Sequence, residues 1–138
     1  MGTDIDDAAL FKLEQNVREN VKQWKEGLQW RVQDDIEQFW ASERLSWGDS
    51  EDCERVSRRL QSMTGDKRFD IILASEILYL DAEHKNLAKT LKKFSHESSA
   101  IYVTYKARGL GEERFFRIAE HEGFDVEQVP RDLWDDEF

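Results

Sequence analysis

The sequence predicts an α/β fold in which a mostly parallel sheet is flanked by helices. Two short, nearly continuous apolar runs, FDIILA (69–74) and AIYVTY (100–105), have the composition of strands buried on both faces. Segments of ten or more residues with helical apolar stripes lie between such runs. Because parallel strands need long crossover connections, this alternation indicates βαβ units with right-handed crossovers.

The first half of the chain is predicted to contain two helices and a short strand. Residues 6–25 carry one apolar helical stripe, with Asp6 or Asp7 as the cap; its members are Leu10, Leu13, Val17, Val21 and Trp24. A strand is predicted near residues 43–47, after a stretch without a clear period. The next helix begins within residues 49–52 and ends at residues 64–66; its stripe is Cys53, Val56, Leu60 and Met63.

The second half alternates strands and helices more clearly. Strand 69–74 is followed by a helix over about 82–94, whose inward residues are predicted to be Leu87, Ala88, Leu91 and Phe94. Strand 100–105 is followed by a helix over about 111–122, with Phe115, Phe116, Ile118 and Ala119 inward. FDVEQV (124–129) alternates apolar and polar residues, which predicts a half-exposed strand.

Composition and charge exclude several classes of function. The 138 residues include 30 acids and 20 bases, for a net charge of -10. This balance disfavours nucleic acid and anionic membranes as partners, because both require clustered Lys and Arg. It fits a basic protein partner, although solubility alone also accounts for an acidic surface. We expect a soluble protein of a reducing intracellular compartment, because the sequence has no transmembrane-length apolar run and no signal-like start.

Metal and thiol chemistry are not indicated. The single cysteine, Cys53, occupies an apolar helical position, which favours a small buried hydrophobic residue over a catalytic thiol. The histidines His84, His96 and His121 are far apart and lack the spacing of metal ligands. The lysines of helix 82–94 lie on its polar face and are interpreted as solvated.

Candidate binding residues follow the predicted strands, since ligands of open α/β sheets bind at the carboxyl ends of strands. Asp4, at the start of the chain, could accept hydrogen bonds from ribose hydroxyls, or Asp4 and Asp6 could both be helix caps. Glu76 and Tyr79 follow strand 69–74 and could hold and orient an incoming amine. The alternative is an ordinary strand-to-helix loop with a buried tyrosine.

The segment LSWGD (45–49) is a third candidate. The Trp47 indole beside a glycine turn could form one wall of an adenine or sulfonium site. A core tryptophan that covers the sheet edge is the alternative reading.

These pieces, in this order, resemble family 16 of the seven-strand methyltransferases, which are dependent on S-adenosyl-L-methionine and act on protein lysines. Four parts of the chain are similar to segments of that family: TDID with the LEQNVREN helix, LSWGD, FDIILASEILYLD, and the run from KTLKKF to DLWDDEF. The downstream run resembles in particular the valosin-containing-protein and heat-shock-protein lysine methyltransferases.

The resemblance implies a partial Rossmann-like seven-strand fold and a role for each matched residue. Asp4 would bind the ribose of S-adenosyl-L-methionine, and Trp47, Ala74 and Ser75 would line the adenine and methionine pocket. Glu76 and Tyr79 would form an acidic-x-x-Tyr pair at the entrance for the substrate lysine, with Glu where many relatives have Asp. The substrate would be a protein, of chaperone or translation-factor type, and the location cytoplasmic or also nuclear.

The sequence also departs from the family pattern. The Gly-rich turn that lets a backbone approach the cofactor has no counterpart, since Gly109 and Gly111 follow the wrong strand. The expectation is a single partial methyltransferase domain over residues 1–138, without the first, Gly-rich strand and without the last strand. Two other readings remain: an inactive fragment or pseudoenzyme that binds a protein partner, and an unrelated α/β domain without a cofactor.

Overall fold

The structure is a computed structural model that describes residues 1–27, 40–109 and 111–130. Its elements, in chain order, are β1 (Gly2–Asp4), α1 (Asp7–Gly27), β2 (Ser42–Arg44), α2 (Ser50–Thr64), β3 (Ile71–Ser75), a 3-10 turn (Asp81–Glu83), α3 (His84–Phe94), β4 (Ala100–Thr104) and α4 (Glu112–His121). The predicted helices are confirmed to within a few residues at each end. The tail after residue 130 and the stretch 28–39 lie outside the described residues.

The described strands form two parallel pairs. β1 pairs with β2, with Gly2 opposite Ser42, and β3 pairs with β4, with Ile71 opposite Ala100. The predicted parallel α/β architecture is therefore confirmed, although the strands described belong to two two-stranded sheets. Helices connect the strands within each pair, as parallel pairing requires.

Among the described residues, only one face of the β3–β4 pair is covered, whereas the sequence predicted strands buried on both faces. Ile72 and Val103 pack against a core formed by α3 and α4. On the opposite face, Ile71 is 61% exposed and Leu73 77% exposed, beside an exposed Tyr102. The apolar composition of these runs correctly indicated strands, but composition alone does not show whether a second layer covers them.

Residues 124–129 do not form the predicted strand. Phe124 and Val126 are partly buried against the core and alternate with exposed residues, as the pattern predicts. The backbone, however, is irregular and pairs with no described strand. Alternation here reflects one-sided packing of an extended segment, and strand assignment requires ladder hydrogen bonds in addition.

Two apolar clusters hold the elements together. The larger one joins α3, α4 and the loop after β3, and its buried members are Leu78, Leu87, Ala88, Leu91, Phe115 and Ala119. The smaller one joins α2 to α3 through Leu45, Cys53, Val56 and Phe94, and Ile72 of β3 packs against both. Cys53 is buried, as predicted, and burial raises the pKa of its thiol, which disfavours the reactive thiolate.

Helix α1 packs more lightly. Its predicted stripe residues Leu10, Leu13, Val17 and Val21 are half-buried, and the side chain of Trp24 lies outside the described part of the chain. Asp6 caps this helix, because its carboxylate accepts the N–H of Ala8 at 2.7 Å. Among the described residues, no helix is long and apolar enough to cross a membrane, and no group of His, Cys, Asp and Glu is arranged to hold a metal ion.

Candidate active site

Glu76 occupies the first position after β3 and has an unusual backbone conformation. Its φ is 55°, in the left-handed region that costs a non-glycine residue about 1–2 kcal/mol. Its N–H donates to the Thr104 carbonyl at 2.8 Å and so continues the β3–β4 ladder by one bond. Local strain of this kind is concentrated at functional sites, where neighbouring contacts maintain it.

The Glu76 carboxylate connects the ends of β3 and β4. One oxygen accepts the backbone N–H of Lys106 at 2.7 Å, and the other pairs with the Arg108 guanidinium at 2.5 Å. Both side chains of the ion pair are 46% exposed. The carboxylate is thus fixed in direction by the segment after β4 while it remains open to solvent.

A narrow cleft lies beside this carboxylate. Its lining residues are Glu76, Leu78, Tyr79, Tyr105, Lys106, Arg108 and Glu112. It encloses about 170 Å³, including space open to solvent.

Two tyrosines form the aromatic part of the cleft. Tyr79 is half-exposed, and Tyr105 is held against Phe116 with ring centroids 5.5 Å apart. The predicted pair of Glu76 and Tyr79 is brought into one cleft, and Tyr79 is not the buried loop residue of the alternative reading. Aromatic faces near a carboxylate favour a cationic or amine ligand.

The floor of the cleft is held by buried polar contacts. Leu78 is buried, and its carbonyl lies 3.0 Å from Nε2 of the fully buried His84. Asp81 of the 3-10 turn accepts from Arg114 of α4 at 2.8 Å. On the other side, the buried Glu112 accepts the backbone N–H of Arg108 at 2.8 Å. These contacts attach both loops of the cleft to the helices below.

Asp4 lies at the carboxyl end of β1 and is exposed. Its Oδ1 accepts the N–H of Asp6 at 2.9 Å, and its backbone carbonyl accepts from Leu45 at 2.8 Å. Asp6, rather than Asp4, caps α1. The alternative that both carboxylates are helix caps therefore applies to Asp6 only.

Trp47 lies in the turn between β2 and α2. Asp52 accepts the N–H of Ser46 at 2.9 Å, and Thr90 of α3 accepts the N–H of Gly48 at 2.9 Å. The partly buried indole packs against the larger core cluster, which agrees with a packing role and leaves part of the ring accessible. The turn thereby connects the β1–β2 pair to α3.

The six residues chosen from the sequence do not all meet in the cleft. Glu76 and Tyr79 line it, whereas Ala74 and Ser75 are the last residues of β3 just before it. Asp4 and Trp47 follow the other strand pair and do not line the cleft. Four cleft residues were not singled out from the sequence: Tyr105, Lys106, Arg108 and Glu112. The rule that ligands bind after parallel strands pointed to their loop, and the polar run KAR after AIYVTY was the available signal.

Comparison with known proteins places this chain in a family. The sequence profile of the lysine methyltransferase family matches residues 3–122. The chain belongs to this family. A similar protein is the protein N-terminal and lysine N-methyltransferase EFM7 of Gibberella zeae, which is 39% identical over 72 residues, covering 46% of this chain and 26% of the relative. The match thus spans about a quarter of that relative. No solved structure matches the chain significantly.

Family membership decides between the readings left open by the sequence. An unrelated α/β domain is excluded, because the profile covers β1 through α4. The inactive protein-binding fragment is not favoured, since both the family and the relative are named for methyl transfer. A methyltransferase requires a methyl donor, and the acceptor named for the relative is a protein amine.

Proposed function

We propose that the chain contributes to transfer of a methyl group from S-adenosyl-L-methionine to a lysine of a protein substrate, with Glu76 and Tyr79 at the acceptor amine. The observation that carries the proposal is the cleft, in which a fixed, half-exposed carboxylate stands beside two tyrosines. The methyl donor supplies an activated methyl group, so the protein gains rate mainly by orienting the amine.

The acceptor nitrogen must lose a proton before it can attack. A lysine ammonium has a pKa near ~10.4, so the charged form arrives at neutral pH. The Glu76 carboxylate would hold that ammonium. Tyr79 would form one side of the pocket and would donate or accept one hydrogen bond with the nitrogen. After the proton leaves to solvent, Glu76 and Tyr79 would hold the neutral amine toward the methyl group that the bound donor would supply. Glu76 then keeps the remaining N–H bonds directed away from the reacting lone pair.

The residues proposed for the cofactor are chemically suited to a nucleoside. The exposed Asp4 carboxylate, at a strand end, offers oxygens to the two ribose hydroxyls. The partly exposed Trp47 ring offers a flat wall for adenine. Ala74 and Ser75 lead directly into Glu76 and would line the methionine end. We propose that the two strand pairs, β1–β2 and β3–β4, are parts of a sheet of the Rossmann-like seven-strand kind.

The α-amino group of a protein N-terminus is a second candidate acceptor. The name of the Gibberella zeae relative includes N-terminal methylation, which favours this alternative. An α-amine has a pKa of ~7.7–8.0, so it would need less help to lose its proton. Methylation of peptides with a free or an acetylated N-terminus separates the two acceptors.

The substrate class follows the same reasoning. We propose a protein of chaperone or translation-factor type, met in the cytoplasm or the nucleus, as the resemblance to the lysine methyltransferases suggests. The net charge of -10 supports a polypeptide partner over nucleic acid.

The test is methyl transfer from labelled S-adenosyl-L-methionine to an acetylated, lysine-bearing peptide. We expect transfer by the chain and a loss of at least tenfold in Glu76→Gln, which keeps the side-chain size and removes the charge. The matched control is Glu97→Gln, an exposed glutamate in the turn between α3 and β4, which should retain full activity. Equal activity of the two variants would contradict the assignment of Glu76.

A further inference from the structure

The position that an incoming amine needs is occupied by a cation of the chain itself. Arg108 contacts one oxygen of Glu76, and the Lys106 N–H takes the other. Both oxygens of the carboxylate are therefore engaged before any substrate binds. A lysine ammonium that takes the place of the guanidinium on Oε2 must displace Arg108.

The guanidinium is the donor that can leave. The Lys106 N–H belongs to the backbone, and the Arg108 backbone is held by Glu112 at 2.8 Å. The Arg108 side chain is long and about half-exposed, and exposed ion pairs are worth little. The Arg108 side chain can therefore leave Glu76 while the backbone of the segment after β4 stays in place.

Displacement leaves the guanidinium without its carboxylate. Glu112 is buried and accepts the backbone N–H of Arg108, whereas the guanidinium is about half-exposed and can turn toward solvent. Lys106 adds a second positive charge to the lining of the cleft. A negative group on the substrate, close to the lysine, would pair with the displaced guanidinium and offset these positive charges.

We propose that the cleft selects lysines next to an acidic residue by exchange of ion pairs. The substrate lysine replaces Arg108 on Glu76, and Arg108 turns to bind the neighbouring substrate carboxylate. Arg108 is in this role a specificity-determining residue that masks Glu76 until such a substrate arrives. The proposal rests on the proposed function, because it takes Glu76 as the amine site.

The experiment measures binding of two acetylated, fluorescently labelled peptides by anisotropy. The peptides differ only in the residue after the lysine, which is Glu in one and Gln in the other. Wild-type chain should bind the Lys-Glu peptide about threefold more tightly, as expected for one exposed ion pair. Arg108→Gln should lose this preference and bind the Lys-Gln peptide more tightly than wild type does, because Glu76 is no longer masked. Arg117→Gln, at an exposed site of α4, is the control and should behave as wild type.

The outcomes separate this proposal from the proposed function. If Glu76→Gln binds both peptides as well as wild type does, the amine site is wrong and both proposals fail. If Glu76→Gln binds weakly but Arg108→Gln keeps the preference for Lys-Glu, the amine site stands and the exchange is overturned. Weaker binding of the Lys-Gln peptide by Arg108→Gln would likewise overturn the exchange, since a masking residue cannot assist the ligand that it blocks.

Discussion

The imidazole of His84 is fully buried, and its Nε2 lies 3.0 Å from the Leu78 carbonyl oxygen. A carbonyl only accepts, so Nε2 is the donor of this bond. Nδ1 lies 3.5 Å from Oδ1 of Asp81, and the ring edge meets Phe115 with centroids 5.7 Å apart. One hydrogen bond therefore joins the first turn of α3 to the loop that carries Glu76 and Tyr79.

Replacement of His84 by leucine should destabilise the protein. Leucine fits an apolar site of similar size but leaves the buried Leu78 carbonyl without its donor, at a cost of about 1–3 kcal/mol. We expect this loss in urea unfolding followed by tryptophan fluorescence. His121→Leu is the control, because His121 is exposed at the end of α4 and should change stability by less than ~0.5 kcal/mol. Similar effects of the two substitutions would show that the bond to Leu78 is not stabilising.

The left-handed backbone of Glu76 gives a second prediction. Glycine has no Cβ and adopts a φ of 55° without strain, whereas alanine keeps the strain and loses the carboxylate. Glu76→Gly should therefore be about 1–2 kcal/mol more stable than Glu76→Ala. At Glu120, within α4, the reverse is expected: Glu120→Ala should be more stable than Glu120→Gly by ~1 kcal/mol. If Glu76→Ala is also the more stable variant at position 76, the backbone there is not strained.

The sequence predicts most elements of the fold because their signals are local. The stripe of α2, its start within residues 49–52 and its end at residues 64–66 are readable within some twenty residues, and the structure confirms them. The structure adds that Asp49 is the cap and that Gly65 is left-handed. The pairing of strands and the number of covered faces depend on distant contacts. For that reason the exposure of Leu73 and the irregular backbone at 124–129 were not foreseen.

The candidate site was predictable to a similar degree. Glu76 and Tyr79 stand three residues apart after one strand, so a single segment reveals them. Arg108 is 32 residues away from Glu76 in sequence, and only the parallel pairing of β3 with β4 brings the two together. Partners of this kind become visible when the register is known, since register determines which strand ends are adjacent.

A pH dependence is expected from Asp52, which holds the turn containing Trp47. The hydrogen bond from Arg55 and then the Ser46 N–H lower the pKa of this carboxyl from its ordinary value. A carboxyl with a lowered folded-state pKa stabilises the fold above the unfolded value of ~3.9, and this stability is lost as pH falls through the folded-state pKa. Asp52→Asn should thus be less stable than wild type at pH 7, and the difference should shrink in acid.

Urea unfolding at a series of pH values from 7 downward tests this linkage. Asp125→Asn is the matched control, because Asp125 is exposed after α4 and its stability difference from wild type should stay small at every pH. If the difference in free energy of unfolding between wild type and Asp52→Asn stays constant as the pH falls below ~3.9, a lowered pKa at Asp52 is contradicted.

The role proposed for Asp4 predicts a selective loss of cofactor affinity. Asparagine keeps the oxygen that accepts the Asp6 N–H and replaces the second carboxylate oxygen by an NH₂ donor. A ribose diol offers two donors, so Asp4→Asn would leave one of them unpaired, at a cost of about 1–3 kcal/mol or roughly tenfold or more in Kd. Calorimetric titration of S-adenosyl-L-methionine into wild type and variant measures this difference.

Asp6→Asn is the matched control for this titration. Asparagine caps helices as well as aspartate does, so α1 should persist and the affinity for S-adenosyl-L-methionine should stay near that of wild type. If the two variants lose affinity equally, the acidic start of the chain acts through overall charge. If only Asp4→Asn loses affinity, the effect belongs to the one carboxylate at the end of β1, where a ribose would bind. Unchanged affinity in Asp4→Asn would remove Asp4 from the cofactor site.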